Sequence, residues 1–172
     1  MIKVIFADLN GTLINTMSGE LFPVGIWDVR PNMEVWEKLR VWSLTDQLSA
    51  KYLFFITNEG GIEKGFTSNA AFFRKLDFIA SSLREFLSYR VTVDFEYYPF
   101  NDYGPYRKPN CGMLQAIISR YKGLRQSVKA EHILMIGDAS GLPGQFSDSD
   151  KRCAANAGIS YLDVSEFINF KF

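Results

Sequence analysis

Apolar residues gather in short dense runs along this chain, separated by polar stretches with helical periodicity. Val4-Ile5-Phe6-Ala7 lies in a strand predicted over residues 2–7. Asn32 then stands where a helix cap belongs, and Val35, Trp36, Leu39 and Trp42 follow at helical spacing, predicting a helix over 32–49. Tyr52-Leu53-Phe54-Phe55-Ile56 reads as a second buried strand. Ser68 opens a long helix over 68–88, with Phe72, Phe73, Leu76, Ile79, Leu83 and Leu87 on one face. Val91 to Tyr97 alternates as a strand does, and residues 110–121 read as helix. Ile133 to Ile136 is a strand, residues 149–157 a short helix, and Ile159-Ser160-Tyr161-Leu162 a weaker last strand. Such alternation predicts an α/β fold, a Rossmann-like parallel sheet with helices on both faces. No repeat, low-complexity tract or linker interrupts it, so residues 1–172 read as a single domain.

Polar clusters follow four of the strands. Asp8 and Asn10 come after the first, and Thr57 and Asn58 after the second. Arg107 and Lys108 come in a loop after the third, and Gly137, Asp138 and Ala139 after the fourth. One such cluster suits a structural role; four predict one crevice beyond the carboxyl ends of the strands. The set suits phosphoryl transfer. Asp8 would attack phosphorus and become an aspartyl-phosphate. Asp8, Asp138 and a backbone carbonyl would hold Mg²⁺, a hard cation that takes oxygen ligands. Thr57 and the amide of Asn58 would grip the non-bridging oxygens, and Lys108 would neutralise the transferring group.

Composition narrows the choice. Hydrophobic residues make up 47% of the chain, which excludes a disordered chain. Lys and Arg total 19, as do Asp and Glu, so a polyanion would be held by a local patch and binding would show a shallow salt dependence. His132 is the one histidine and lies beside an apolar run, where a satisfied structural role is expected; Ser-His-Asp and Cys-His chemistries lose support. Cys111 and Cys153 are too few for a disulfide framework or a zinc cage and read as buried thiols. With no membrane-length apolar run and no basic-then-apolar leader pattern, a cytoplasmic protein is expected.

In order along the chain, Asp8-Leu9-Asn10-Gly11-Thr12, Ile56-Thr57-Asn58, Lys108 and Gly137-Asp138 resemble the four motifs of the haloacid dehalogenase superfamily of phosphatases. A narrower resemblance spans nearly the whole chain. Asp8 to Ile14, Ser18-Gly19, Phe22-Pro23, Thr57 to Ile62, Gly65, Arg107-Lys108-Pro109 and Gly112-Met113 are similar to the 3'-phosphatase domain of polynucleotide kinase/phosphatase enzymes. So are Gly137 to Gly141, Phe146 to Asp150 and Ala155 to Gly158. The resemblance implies Mg²⁺-dependent removal of a 3'-terminal phosphate from DNA or RNA ends. Asp8, Asn10, Thr57 and Lys108 would be catalytic, Asp8, Asn10 (through its backbone carbonyl) and Asp138 would hold the metal, and Thr57, Asn58 and Lys108 would bind phosphate. Asp150 matches an acid behind the metal, whereas Asp148 reads as charge at a helix start. No Gly-x-x-x-x-Gly-Lys-Ser/Thr loop is present, so any kinase or ligase activity is expected from a separate partner, and the protein is expected to be a monomer.

Asn10 departs from the resemblance, which places an acid there to protonate the leaving oxygen and then deprotonate water. An amide does neither, and general acid–base help is worth about 10²–10⁴ in rate, so this form is expected to be nearly inactive. A substitution introduced to trap substrate and a native protein that binds phosphorylated ends without hydrolysis are the two readings of that residue. The segment between Asp8 and the first helix, about residues 14–31, is too short for a large lid, which implies a minimal cap and an open site suited to a polymer end. Arg107, Arg30, Lys64 and Tyr106 are the nucleic-acid contacts to look for, with Lys151 or Arg152 after them, and Trp27, Tyr103 and Tyr106 are candidates to stack on a base. A small-metabolite phosphatase on the same fold is the alternative. Its histidinol- and heptose-phosphate relatives carry a Cys/His zinc loop, which Tyr97 to Asn110 lacks.

Overall fold

The computed structural model describes residues 1–20, 22–46, 48–121, 123–124 and 128–172. Strand β1 (Val4–Ala7) is followed by a two-stranded antiparallel ribbon, β2 (Ile14–Thr16) with β3 (Val29–Pro31). The remaining strands are β4 (Lys51–Asn58), β5 (Val91–Tyr98), β6 (Ile133–Gly137) and β7 (Ser160–Asp163). The central sheet runs β5-β4-β1-β6-β7, and all its pairings are parallel. The chain lays β4 and β5 on one side of β1, then crosses to place β6 and β7 on the other. β1 is therefore the switch point, where a crevice opens beyond the strand ends.

Every residue of β1 is buried, as expected for a parallel strand covered on both faces. Successive side chains point to opposite faces. Ile5 and Ala7 join Leu53, Phe55, Leu134 and Ile136 in a core layer beneath α1 (Met33–Leu44) and α2 (Asn69–Phe86). Val4 and Phe6 join Phe54, Ile56 and Met135 beneath α3 (Gly112–Arg120) and α4 (Ser149–Ala157). A short α5 (Val164–Phe167) adds Phe167 to the first layer.

Most predicted elements are present, with shifted ends. α1 stops at Leu44, where the Thr45 amide bonds back to the Trp42 carbonyl and Asp46 takes a left-handed φ of 39°. The predicted extension to residue 49 includes Gln47, which lies outside the described residues. Ser68 caps α2 by accepting from the Ala71 amide. Phe73 leaves the buried face of α2; half-exposed, it packs edge-on against Phe95 with ring centroids 5.5 Å apart. Of the two thiols, Cys153 is fully buried but Cys111 is not, because it sits at the exposed start of α3. His132 precedes β6, at the opposite end of that strand from the crevice. Its Nε2 lies 3.9 Å from Glu131 Oε1, and its Nδ1 is buried without a hydrogen bond to the described residues.

The ribbon is an unforeseen feature of a segment read as loop. Asp28 organises it, accepting from the Ser18 amide at 2.6 Å, the Ser18 hydroxyl at 2.8 Å and the Val24 amide at 3.1 Å. The insert is small, in line with a minimal cap. No helix among the described residues is long and apolar enough to cross a membrane.

Phe54 lies fully buried in the central sheet, stacked on Tyr52 and packed at a tilt against Phe6 and Tyr121. Phe54→Ala is expected to cost about 3–5 kcal/mol in a denaturant titration, through lost burial and the cavity left behind.

Candidate active site

Asp8 is the first residue past β1, and its amide donates to the Ile136 carbonyl of β6 at 2.9 Å. That bond anchors the carboxylate between the two strands of the switch point. Lys108 arrives from the loop after β5. Its Nζ donates to Asp8 Oδ1, donates to the Ile56 carbonyl at 3.1 Å, and pairs with Asp150 Oδ1 at 2.8 Å. Asn58 clamps the Lys108 main chain from both sides, donating to its carbonyl and accepting from its amide, each at 3.0 Å. The Asn58 side chain is thus occupied in aiming the lysine. Asp150, in the first turn of α4, accepts from the Ala139 amide at 3.2 Å and leans over Gly137, where a Cβ would lie 2.3 Å from Asp150 Oδ2. Gly11 is required for a similar reason: its φ is +75°, and a Cβ there would sit 2.0 Å from Asp138 Oδ2.

One oxygen from each of Asp8, Asp138 and Asp150 lies within 4.8 Å of the others. Three carboxylates thus gather around one ammonium, and hard oxygen donors in excess of local positive charge fit Mg²⁺. Burial pushes the Asp8 carboxyl up to about 8, opposed by Lys108 and reinforced by Asp150 and Asp138. Burial, with Asp150 adding to it, also raises Asp138, to about 6. Burial disfavours the charge on Lys108, but Asp150 and Asp8 outweigh it and hold the ammonium above the usual lysine range. A divalent cation would relieve the repulsion among the carboxylates. Asp150 does double duty in this cluster: sequence reasoning placed it behind the metal, and the structure adds its direct pairing with Lys108.

Thr57 is the penultimate residue of β4, and its hydroxyl is buried, donating to Glu59 Oε1 at 2.7 Å. The same oxygen accepts from Asn10 Nδ2 at 3.2 Å. Glu59 was missed by sequence reasoning, although a carboxylate between Thr57-Asn58 and Gly60-Gly61 at a strand end was a usable cue. Burial raises its carboxyl above the ordinary range, against the pull of Lys75 on α2. A second network also lay beyond sequence reasoning. Gln145 Oε1 accepts from the Ser140 amide at 2.7 Å and its hydroxyl at 2.8 Å, and Gln145 Nε2 donates to Asp163 at 2.6 Å, shaping the loop after β6.

The residues proposed for the rim divide. Arg107 is half-buried and donates to the Phe100 carbonyl at 2.8 Å, so at least one of its donors braces its own loop. Arg30 is exposed on β3 opposite Asn15, and Lys64 is exposed after β4. Tyr106 stacks on Tyr98 at 6.4 Å yet keeps an exposed edge. Trp27 and Tyr103 are 69% and 97% exposed, so neither is consumed by the core. Lys151 and Arg152 are exposed on α4; Arg152 lies 3.7 Å from Asp148, which is itself exposed. A cleft beside the ribbon is lined by Asn10, Gly11, Ile14, Asn15, Thr16, Gly19 and Glu20.

Known proteins share this architecture. A heptose 1,7-bisphosphate phosphatase from B. bronchiseptica, crystallised with magnesium and phosphate, superposes with a TM-score of 0.69 at 20% identity, covering 93% of this chain and 79% of the other. A protein of Mesorhizobium loti described as a HAD-like phosphatase gives 0.65 at 21% identity, covering 92% and 69%. In sequence, the bifunctional polynucleotide phosphatase/kinase of Schizosaccharomyces pombe is 28% identical over 170 residues, 96% of this chain and 37% of that relative. The chain therefore spans little more than a third of the curated relative it matches. The family model for polynucleotide kinase 3 phosphatase matches residues 3–168. On that match, reached after a phosphatase fold and a four-strand-end crevice, the chain belongs to the polynucleotide kinase 3 phosphatase family.

Proposed function

We propose that this chain is a Mg²⁺-dependent polynucleotide 3'-phosphatase that works through an aspartyl-phosphate on Asp8. The observation that carries the reading is the buried Asp8–Lys108–Asp150 contact at the switch point of a family member's sheet. Lys108 engages Oδ1 of Asp8, leaving Oδ2 to attack phosphorus in line with the departing 3'-oxygen. The main-chain amide of Asn58, and the Thr57 hydroxyl once its proton turns from Glu59 Oε1 to the phosphoryl group, receive the non-bridging oxygens, while the Lys108 ammonium offsets their charge. Asp8 and Asp138, with the backbone carbonyl of Asn10, are the proposed ligands, and the ion would neutralise charge on the phosphoryl group when bound. Water then attacks the aspartyl-phosphate and frees Asp8. Asn10 cannot exchange a proton in either step, so a chain that relied on position 10 alone would turn over slowly.

The small ribbon insert, with Trp27 and Tyr103 exposed, suits the end of a polymer better than an enclosed metabolite. Polynucleotide 3'-ends, DNA or RNA, are thus the proposed substrate class, and a kinase activity would come from elsewhere, as the bifunctional relative pairs the two.

Asp8→Ala is expected to lower phosphate release from a 3'-phosphorylated oligonucleotide by at least about 10⁴-fold while the protein stays folded. Retained turnover in that variant would overturn the covalent mechanism. Mg²⁺ at about 100 times its Kd is expected to add about 2.7 kcal/mol of stability by mass action, read as a raised Tm. Asp138→Asn is expected to abolish most of that shift, and an equal shift in the variant would remove Asp138 from the metal site.

A further inference from the structure

We propose that Glu59 carries the proton that Asn10 cannot. The proposal rests on the phosphatase reading above and adds to it a catalytic group outside the usual position. Glu59 Oε1 accepts from Thr57 Oγ1 at 2.7 Å and from Asn10 Nδ2 at 3.2 Å, the side chain proposed above to bind the phosphoryl group and the one at position 10, which leaves Oε2 to hold the transferable proton. Its place is set by the backbone, because the Glu59 amide donates to the Tyr98 carbonyl at 2.8 Å, fixing the turn that follows β4. Asn10 Oδ1 is buried and has no partner among the described residues. The amide of Asn10 thus turns its NH₂ toward Glu59 and keeps an acceptor unpaired. A carboxyl is present beside position 10; it hangs from β4 and not from β1.

The hydrogen bond between the two side chains ties their identities together. Here the amide donates and the carboxyl accepts, and of the two groups only the carboxyl can carry a transferable proton. Asn10→Asp alone sets two carboxyl groups against each other. Glu59→Gln alone leaves two amides and no carboxyl. The reciprocal change, Asn10→Asp with Glu59→Gln, keeps one of each with the bond reversed.

In the first step, Asp8 Oδ2 forms a bond to phosphorus, the bond from phosphorus to the 3'-oxygen breaks, and the Glu59 carboxyl gives its proton to that oxygen. In the second, the water oxygen bonds to phosphorus, its proton passes to the Glu59 carboxylate, and the bond between phosphorus and Asp8 breaks. The proton returns to its origin, and the net reaction consumes one water.

The test measures kcat and KM for Mg²⁺-dependent phosphate release from a 3'-phosphorylated oligonucleotide by the full chain and three variants: Glu59→Gln, Asn10→Asp and the double change. The unaltered chain is expected to turn over. Glu59→Gln is expected to lower kcat by about 10²–10⁴ with little change in KM, and adding Asn10→Asp to it to restore turnover. A Glu59→Gln kcat within about threefold of the parent overturns the proposal, since a proton-transfer role is worth far more. So does a folded double variant that regains nothing, which would mark Glu59 as merely structural. An inactive parent beside an active Asn10→Asp variant overturns the Glu59 proposal and leaves the phosphatase reading standing. Inactivity of all four forms overturns both.

Discussion

A single ammonium buried between two carboxylates governs this structure. Lys108 comes from a loop, Asp8 from the end of β1 and Asp150 from the start of α4, and all three are shielded from water. Removing one partner of such a buried pair typically costs about 3–5 kcal/mol, because the other is left charged and alone. Neighbouring choices serve the contact. Asn58 clamps the lysine main chain, Gly137 leaves room for the Asp150 carboxylate, and the Ala139 amide satisfies its second oxygen. The parallel sheet supplies the setting by ending β1, β4 and β6 at one edge.

The same constraint explains the excess of negative charge. One lysine faces three carboxylates, so the cluster favours a cation bound at its open side, where Asp138 is only half-buried. The ribbon that follows β1 is small, and Trp27 within it is exposed. The chain covers 37% of its bifunctional relative, so it corresponds to one part of such a protein's length.

The sheet was legible because parallel strands buried on both faces are nearly continuous apolar runs, and their ends carry the chemistry. Asp8, Thr57, Lys108 and Asp138 converge because each lies at or beyond the carboxyl end of a strand of one parallel sheet. What escaped was set by longer-range contacts. The β2–β3 ribbon has three-residue strands, too short for a period to show, and Asp28 ties it together through partners in a turn. Phe73 obeys the helical spacing, yet the edge of Phe95 takes it at the margin of the core. Glu59 escaped because its meaning depends on Asn10, 49 residues earlier. Read alone, Asn10 looks like a lost function; beside Glu59 it is one half of a pair.

The covalent step at Asp8 is the claim on which the mechanism turns. Its most direct test is rapid acid quenching of the Mg²⁺-loaded protein with a 3'-phosphorylated oligonucleotide, followed by mass spectrometry of the peptide containing residues 4–16. The account predicts a phosphoryl group on Asp8 that disappears as free phosphate accumulates. Release of phosphate with that peptide unmodified at every quench time would contradict it.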